Sequence, residues 1–147
     1  MTEEGELYGW GSGNSNCHGS DEHTPRRVAA LTGERVFLVD ARHTASCAVT
    51  EKGELFTWSA DGDEYNLGHG VSTPQVTPKR VEALVGTKVS AVAIGGYHTL
   101  VADGDGVVWA FGSRVGTGTD ASISEQAHCV DTPTPIPTLR VRSHKSP

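Results

Sequence analysis

"GELYGWGSG" (residues 5–13) returns 48 positions later as "GELFTWSAD" (residues 53–61). Read alone, the first copy raises the question of a phosphate-binding loop. A dinucleotide fingerprint needs G-x-G-x-x-G between a strand and a helix, with an acid about 20 residues on. Gly9, Gly11 and Gly13 have the wrong spacing, and nothing helical follows. "GSRVGTGTD" is also glycine-rich but lacks the Lys-Ser/Thr of a phosphate loop. Read with its copy, the stretch is a strand followed by turn glycines.

The repeat extends outward. Residues 25–59 lie over residues 78–112 at a shift of 53 with no gap. Pro25, Arg27, Val28, Leu31, Gly33, Val36 and Gly53 meet Pro78, Arg80, Val81, Leu84, Gly86, Val89 and Gly106. Arg26 meets Lys79, Phe56 meets Trp109, and Trp58 meets Phe111, each keeping its character. A third copy starts at Gly106 with "GVVWAFGSRVG" and continues at Pro133, Ile136 and Leu139, which repeat the spacing of Pro25, Val28 and Leu31. A glycine and a valine strand should follow, and "RVRSHKSP" stands there instead.

Each copy reads as β. Tyr8 and Trp10, Phe56 and Trp58, Trp109 and Phe111 are two apart, so each pair shares one face of a strand and packs a sheet. "RVFLVD", "ASCAVT", "KVSAVAI" and "HTLVAD" are short β-branched or small-residue runs, and "EKGE" and "GDG" separate runs as hairpin turns. Several strands per unit of about 50 residues mark a propeller blade. The expected fold class is all-β, a partial β-propeller.

These residues resemble the regulator of chromosome condensation (RCC1-like) repeat family. "GELYGWGSG" and "GELFTWS" match its first strand, "YNLGHG" (65–70) its Leu-Gly-His-Gly element, and "GGYHTLVADGDG" (95–106) its Gly-x-x-His-Thr element. Gly5, Trp10, Gly53, Trp58, His98 and Gly106 are the structural repeat positions that the resemblance picks out. It covers residues 5–139, as repeats 5–52, 53–105 and 106–139 inside a region 1–139, with a basic tail at 140–147. There are departures. Arg42 and Ala45 stand where Gly and His belong, "NSNCHGS" has lost the Leu-Gly, and "TGTDASISEQAHCVD" replaces a clean loop. The family resembles propellers of about seven blades. Two complete repeats and part of a third make an incomplete ring with open edges. The chain is therefore expected to be a segment or short member of a longer propeller, a degenerate remnant, or an arc that self-associates or needs further repeats.

Composition narrows the function classes. The 147 residues suit one domain, and 18 Gly and 7 Pro with a hydrophobic fraction of 36% suit many short strands. A net charge of −6 makes nucleic acid or chromatin an unexpected partner. Cys17, Cys47 and Cys129 are odd in number and far apart, which fits a reducing compartment, cytoplasm or nucleus. No apolar run approaches the roughly 18 residues of a membrane span, and "MTEEGE" begins no secretory signal.

Most candidate sites dissolve on inspection. "DGDEYN" (61–66) begins like a calcium loop but has Asn66 for the sixth-position Gly and Ser72 for the twelfth-position Glu, and "DGDG" (103–106) has Arg114 in twelfth place. Cys17, His18 and His23, or His128 and Cys129, lack zinc-ligand spacing, so no metal and no cofactor is expected. His98 reads as a strand histidine bonded to a neighbouring loop or carbonyl, with His43 able to act from the same face two residues away. No Gly-x-Ser-x-Gly is present, and Cys47 reads as a buried inert thiol. The tail's "SHKSP" and the Thr-Pro pairs are formal phosphoacceptors, of a kind common by chance.

The basic residues carry more. "PRRV" and "PKRV" recur at one point of two repeats, so Arg26, Arg27, Lys79 and Arg80 are expected on one rim, with Arg140, Arg142 and Lys145 in the tail. Ordinary solvated charge is the plain reading, and docking of an acidic partner is the functional one. The expected function is a non-enzymatic protein–protein interaction module. The resemblance implies an alternative, guanine-nucleotide exchange on a small GTPase, although no stretch supplies an obvious wedge loop. It also brings in plant photoreceptors, whose Gly-Trp-Arg-His-Thr elements are here "GGYHT", with Tyr97 in place of Trp.

Overall fold

A computed structural model describes residues 1–13, 16–60, 65–71, 73–113, 115 and 129–141. Within them lie ten strands in three antiparallel sheets. The first sheet pairs β1 (Tyr8–Gly11) with β2 (Glu22–Arg27). The central sheet runs β3 (Val36–Arg42), β4 (Ala45–Thr50), β5 (Leu55–Ser59), β6 (Gln75–Arg80) in chain order. The third runs β7 (Val89–Ile94), β8 (His98–Asp103), β9 (Val107–Ser113), β10 (Cys129–Arg140). Strands β3 and β7 pack beside each other, so they form the inner edges of the two full blades, and β2, β6 and β10 the outer ones. The chain is an all-β partial propeller.

The sheets are out of step with the sequence repeat. A copy that starts at Gly53 supplies the outer strands β5 and β6 of one blade and the inner strands β7 and β8 of the next. The copy that starts at Gly5 likewise gives β1 and β2 to the first sheet and β3 and β4 to the central one. Each copy therefore stitches two blades together. The first sheet holds only an outer pair among the described residues.

Two apolar cores lie between the sheets. Leu7, Cys17, Val28, Leu31, Val36, Ala48 and Trp58 close the first sheet onto the central one. Cys47, Val49, Leu55, Leu67, Val81, Leu84, Val101 and Phe111 join the central sheet to the third. Strand β4 contributes to both, and all six of its residues are buried. A strand covered on two faces must be thin, which is why it reads Ala-Ser-Cys-Ala. Burial pushes the Cys47 thiol up to about 12, the inert behaviour its strand position implied.

Local bonds repeat with the sequence. The hydroxyls of Thr2 and Thr50 and the carboxylate of Asp103 accept the backbone N–H of Glu6, Glu54 and Val107, closing three equivalent turns at 3.2, 3.3 and 2.9 Å. Asp103 also accepts from Asp105 N–H and the Trp109 indole, so its carboxylate belongs to the turn. After β2 and β6 the chain makes single 3₁₀ turns (Ala29–Leu31, Glu82–Leu84) that bury Leu31 and Leu84.

The third copy departs here. Strand β10 runs straight on for 12 residues, and Leu139, expected to repeat Leu31 and Leu84, is 46% exposed. The backbone N–H of Val141 then bonds Gly106 O at 3.0 Å, as Val36 and Val89 bond Gly5 and Gly53. The chain reaches that anchor two residues after Leu139, against five after Leu31. No turn can form in that length.

Candidate functional site

The element that locks neighbouring blades is the loop at residues 65–71. Thr57 on β5 donates its hydroxyl to Leu67 O at 2.7 Å, and Thr99 on β8 donates to Asn66 O at 2.8 Å. The loop is thus held from both sheets. Gly70 N–H reaches Asp131 O on β10. With its single hydrogen committed to Leu67, the Thr57 hydroxyl can only accept from His69 Nε2, 3.0 Å away. Burial, and then the nearby Lys79 charge, hold His69 below the usual imidazole range and favour the neutral ring, against the opposing pull of the Thr57 bond. Gly68 has φ +77°, and an added Cβ would stand 2.9 Å from the Phe111 ring. Leucine fills the pocket and glycine admits the ring, which gives the Leu-Gly pair its physical basis.

In the first copy Asn16-Cys17-His18-Gly19 takes the same place without that pair. Cys17 has φ +65°, where Gly68 has +77°. Its thiol is buried and pushed up to about 12 by desolvation. Asn16 holds the loop by donating to Gly11 O and Ser20 O. The His18 ring contacts Arg26 O at 3.2 Å. Gly9, which faces this loop where Thr57 faces the other, leaves room for the Asn16 carbonyl.

The basic residues lie on the outer strands, and three of the four are paired. Arg26 bonds Glu22 at 2.7 Å and Arg27 bonds Glu6 at 2.7 Å. Arg80 bonds Glu54 at 3.0 Å and Glu82 at 2.9 Å. The Arg27–Glu6 and Arg80–Glu54 pairs are one repeated cross-strand contact, and its glutamates come from the two "GEL" sequences. Lys79 is exposed and makes no ion pair among the described residues. In the third blade Pro135 stands opposite Trp109, where Arg27 and Arg80 stand opposite Tyr8 and Phe56, so the basic pattern ends after two blades. Arg140 lies on β10, and Arg142, Lys145, Arg114 and His128 lie outside the described residues, as does most of the 61–66 loop.

The aromatic repeat positions differ. Trp58 is 4% exposed and Trp10 is 59% exposed. The expectation that Trp10 packs a blade is corrected by its neighbours. On β5, Trp58 stands beside Ser46 of β4, whereas β1 has no strand on that side among the described residues. The vacancy opens a cavity of about 350 Å³ lined by Trp10, Val39, Ala41 and Trp58 among others. Val39 on β3 is 44% exposed along its wall. Gly5, Gly53 and Gly106 stand at the starts of the three copies and accept the anchoring N–H groups described above.

His98 and His43 do not do what their positions suggest. The His98 ring lies over Gly95, with Nε2 2.9 Å from where a Cβ would be, and meets no hydrogen-bond partner among the described residues. His43 sits in the turn between β3 and β4 with φ +56°, off the strand face. The sequence missed His69 as the histidine that holds the 65–71 loop onto β5. Its signal was the Leu-Gly-His-Gly spacing itself. Among the described residues no three His, Cys, Asp or Glu side chains gather as a metal set, and no helix is long and apolar enough to cross a membrane.

Comparison with known proteins places this architecture. A profile of the regulator of chromosome condensation (RCC1) repeat matches residues 52–102. The chain is 33% identical over 131 residues to the E3 ubiquitin-protein ligase HERC2 of Homo sapiens, covering 84% of this chain and 3% of that protein. It is 34% identical over 116 residues to the ultraviolet-B receptor UVR8 of Arabidopsis thaliana, covering 76% of this chain and 26% of that one. Human WBSCR16 superposes with a TM-score of 0.75 at 26% identity, over 93% of this chain and 34% of that one. Prp20p of Saccharomyces cerevisiae, described with binding properties toward Gsp1p and histones, superposes at 0.71 with 18% identity, over 92% and 35%. The chain thus spans about a quarter or less of these curated relatives and about a third of these solved structures. With its three-fold internal repeat, its blade-locking Leu-Gly-His-Gly loop and these matches together, the chain belongs to the regulator of chromosome condensation repeat family.

Proposed function

We propose that the chain is a non-enzymatic protein-interaction module whose docking site is the cleft between β1 and β3. One observation carries the reading: among the described residues β1 pairs only with β2, whereas β5 and β9 each pair on their inner side with a hairpin, β3–β4 and β7–β8. The occupant that fits is an antiparallel β-hairpin that pairs its backbone with β1 and carries small side chains on both faces of that strand, like Ala45–Ala48 of β4. Further repeats of the same kind or a separate partner can supply it. A synthetic peptide of residues 36–50, the β3–β4 hairpin, titrated into the chain, should shift Trp10 emission to the blue, and Trp10→Phe should abolish the shift. Absence of saturable binding would remove the reading.

The outer strands support a weaker second contact. Arg26, Arg27, Lys79 and Arg80 sit on equivalent strands of consecutive blades, but Glu22, Glu6, Glu54 and Glu82 offset most of their charge. Lys79 is the cation most open to an acidic partner. Reversing Arg26 and Arg80 together should weaken partner binding at low salt if this contact is used. Nucleotide exchange rests on likeness to Prp20p alone, at an identity that establishes only the fold. Unaccelerated nucleotide release from small GTPases would exclude it for those tested. Cytoplasm or nucleus is the compartment we propose, from the three unpaired cysteines.

A further inference from the structure

All three outer strands carry a Thr-Pro step at the same place: Thr24-Pro25, Thr77-Pro78 and Thr132-Pro133. Each step falls in a gap of the ladder. Glu22 and Arg26 stand opposite Gly11 and Gly9, Gln75 and Lys79 opposite Ser59 and Thr57, and Val130 and Thr134 opposite Gly112 and Ala110. Four residues of the outer strand thus run against two of its neighbour, and the gap tolerates a proline that has no N–H to give. Edge protection accounts for the prolines. It does not account for the threonines, or for the cations that follow two of them.

The three steps differ in what surrounds them. In "TPRR" Thr24, Pro25, Arg26 and Arg27 are all exposed, and the Thr24 hydroxyl makes no hydrogen bond among the described residues. In "TPKR" Pro78 is buried, and the Thr77 hydroxyl lies 3.5 Å from Gln75 Nε2. In "TPTP" no cation follows at either of the next positions.

We propose that Thr24 is a phosphoacceptor for a proline-directed Ser/Thr kinase that also reads the cations after the proline. The acceptor segment is already extended, and its outer edge is open along His23–Arg27. Thr24 Oγ attacks the γ-phosphorus of ATP. The bond from that phosphorus to the β–γ bridging oxygen breaks, ADP leaves, and the hydroxyl proton passes to the kinase's catalytic carboxylate. The product brings about 1.5–2 negative charges within two residues of Arg26. It competes there with Glu22, whose carboxyl is now held below the usual carboxylate range by its hydrogen bond from Arg26. The outer strand of the first blade turns from basic to acidic. Loss of an acidic partner on phosphorylation rests on the second contact proposed above, whereas the acceptor itself does not.

The sequence makes Thr24 and Thr77 near equivalents, and the structure separates them. The full chain, incubated with a cyclin-dependent Ser/Thr kinase and MgATP and mapped by tandem mass spectrometry, should carry phosphate on Thr24 about tenfold or more faster than on Thr77, which must first expose Pro78 by local opening. Thr24→Ala should remove that phosphate and Thr77→Ala should leave it. Free peptides 20–30 and 73–83 should react at similar rates. An unmodified Thr24, a Thr77 as fast as Thr24 in the folded chain, or a peptide 20–30 that is no substrate would each overturn the proposal. Charge reversal at Arg26 and Arg80 tests the docking contact without a kinase, so the two ideas fail separately.

Discussion

Gly68→Ala tests the blade-locking loop, with Gly33→Ala as its control. Both glycines have positive φ, +77° and +87°. Each alanine pays for a left-handed backbone at about 1–2 kcal/mol, partly offset by about 0.4–1 kcal/mol from a less free unfolded chain. These terms cancel between the two variants. What remains is packing. The Gly33 Cβ would meet nothing within 4 Å, whereas the Gly68 Cβ would meet three atoms of the buried Phe111 ring at 2.9, 3.1 and 3.2 Å. Overpacking of that kind costs about 1–3 kcal/mol. For a urea m-value of about 1.5 kcal/mol/M, the Gly68→Ala midpoint should fall about 0.7–2 M below that of Gly33→Ala, with m unchanged. Phe111→Leu added to Gly68→Ala should recover part of the gap, because the clash belongs to the ring. Equal midpoints for the two glycine variants would refute the claim that the loop and the third blade are packed at this contact.

Trp58→Ala should cost about 3–5 kcal/mol in urea unfolding and Trp10→Ala less than about 0.5, although the two occupy one repeat position. His69 gives a pH test. Its folded pKa lies below the unfolded value of about 6.5, so the unfolded chain binds the proton first, and the stability tied to the neutral ring is present above that value and lost as pH falls through the folded one. His69→Gln should flatten the fall in urea midpoint between pH 7.5 and 5.5, and an unchanged slope would assign that fall to other groups.

The repeat and its strands were legible because they rest on local pattern. Period-two aromatics survive in all three copies, β-branched runs and turn glycines in the first two, and a shift of 53 without a gap needs no structure to be seen. What the sequence hid depends on neighbours from another part of the chain. Trp10 and Trp58 read alike, and only the strand beside each decides which is buried. Arg27 and Arg80 read as part of a basic rim because Glu6 and Glu54 lie 21 and 26 residues away from the arginines they pair with. Leu139 kept the spacing of Leu31 and Leu84 but lost the residues after it that make the turn. His98 carried the family signature, yet the histidine that holds the interblade loop is His69, whose role depends on a Thr57 hydroxyl 12 residues earlier.

The half-blade offset between repeat and sheet bears directly on function. Because each copy spans two blades, β1 pairs only with β2 among the described residues, and the edge it leaves lies beside the exposed Val39 of β3. A free edge asks for hydrogen bonds in register as well as apolar cover. Main-chain pairing supplies affinity, and the exposed Trp10 and the 350 Å³ cavity beside it select which side chains fit. The small residues of β4 and the larger ones of β8 show two solutions to the same position within this one chain. The first blade packs against the thin β4, so its edge should discriminate by side-chain size: a hairpin with alanine or serine in the strand beside β1 should bind more tightly than the same hairpin carrying leucine there.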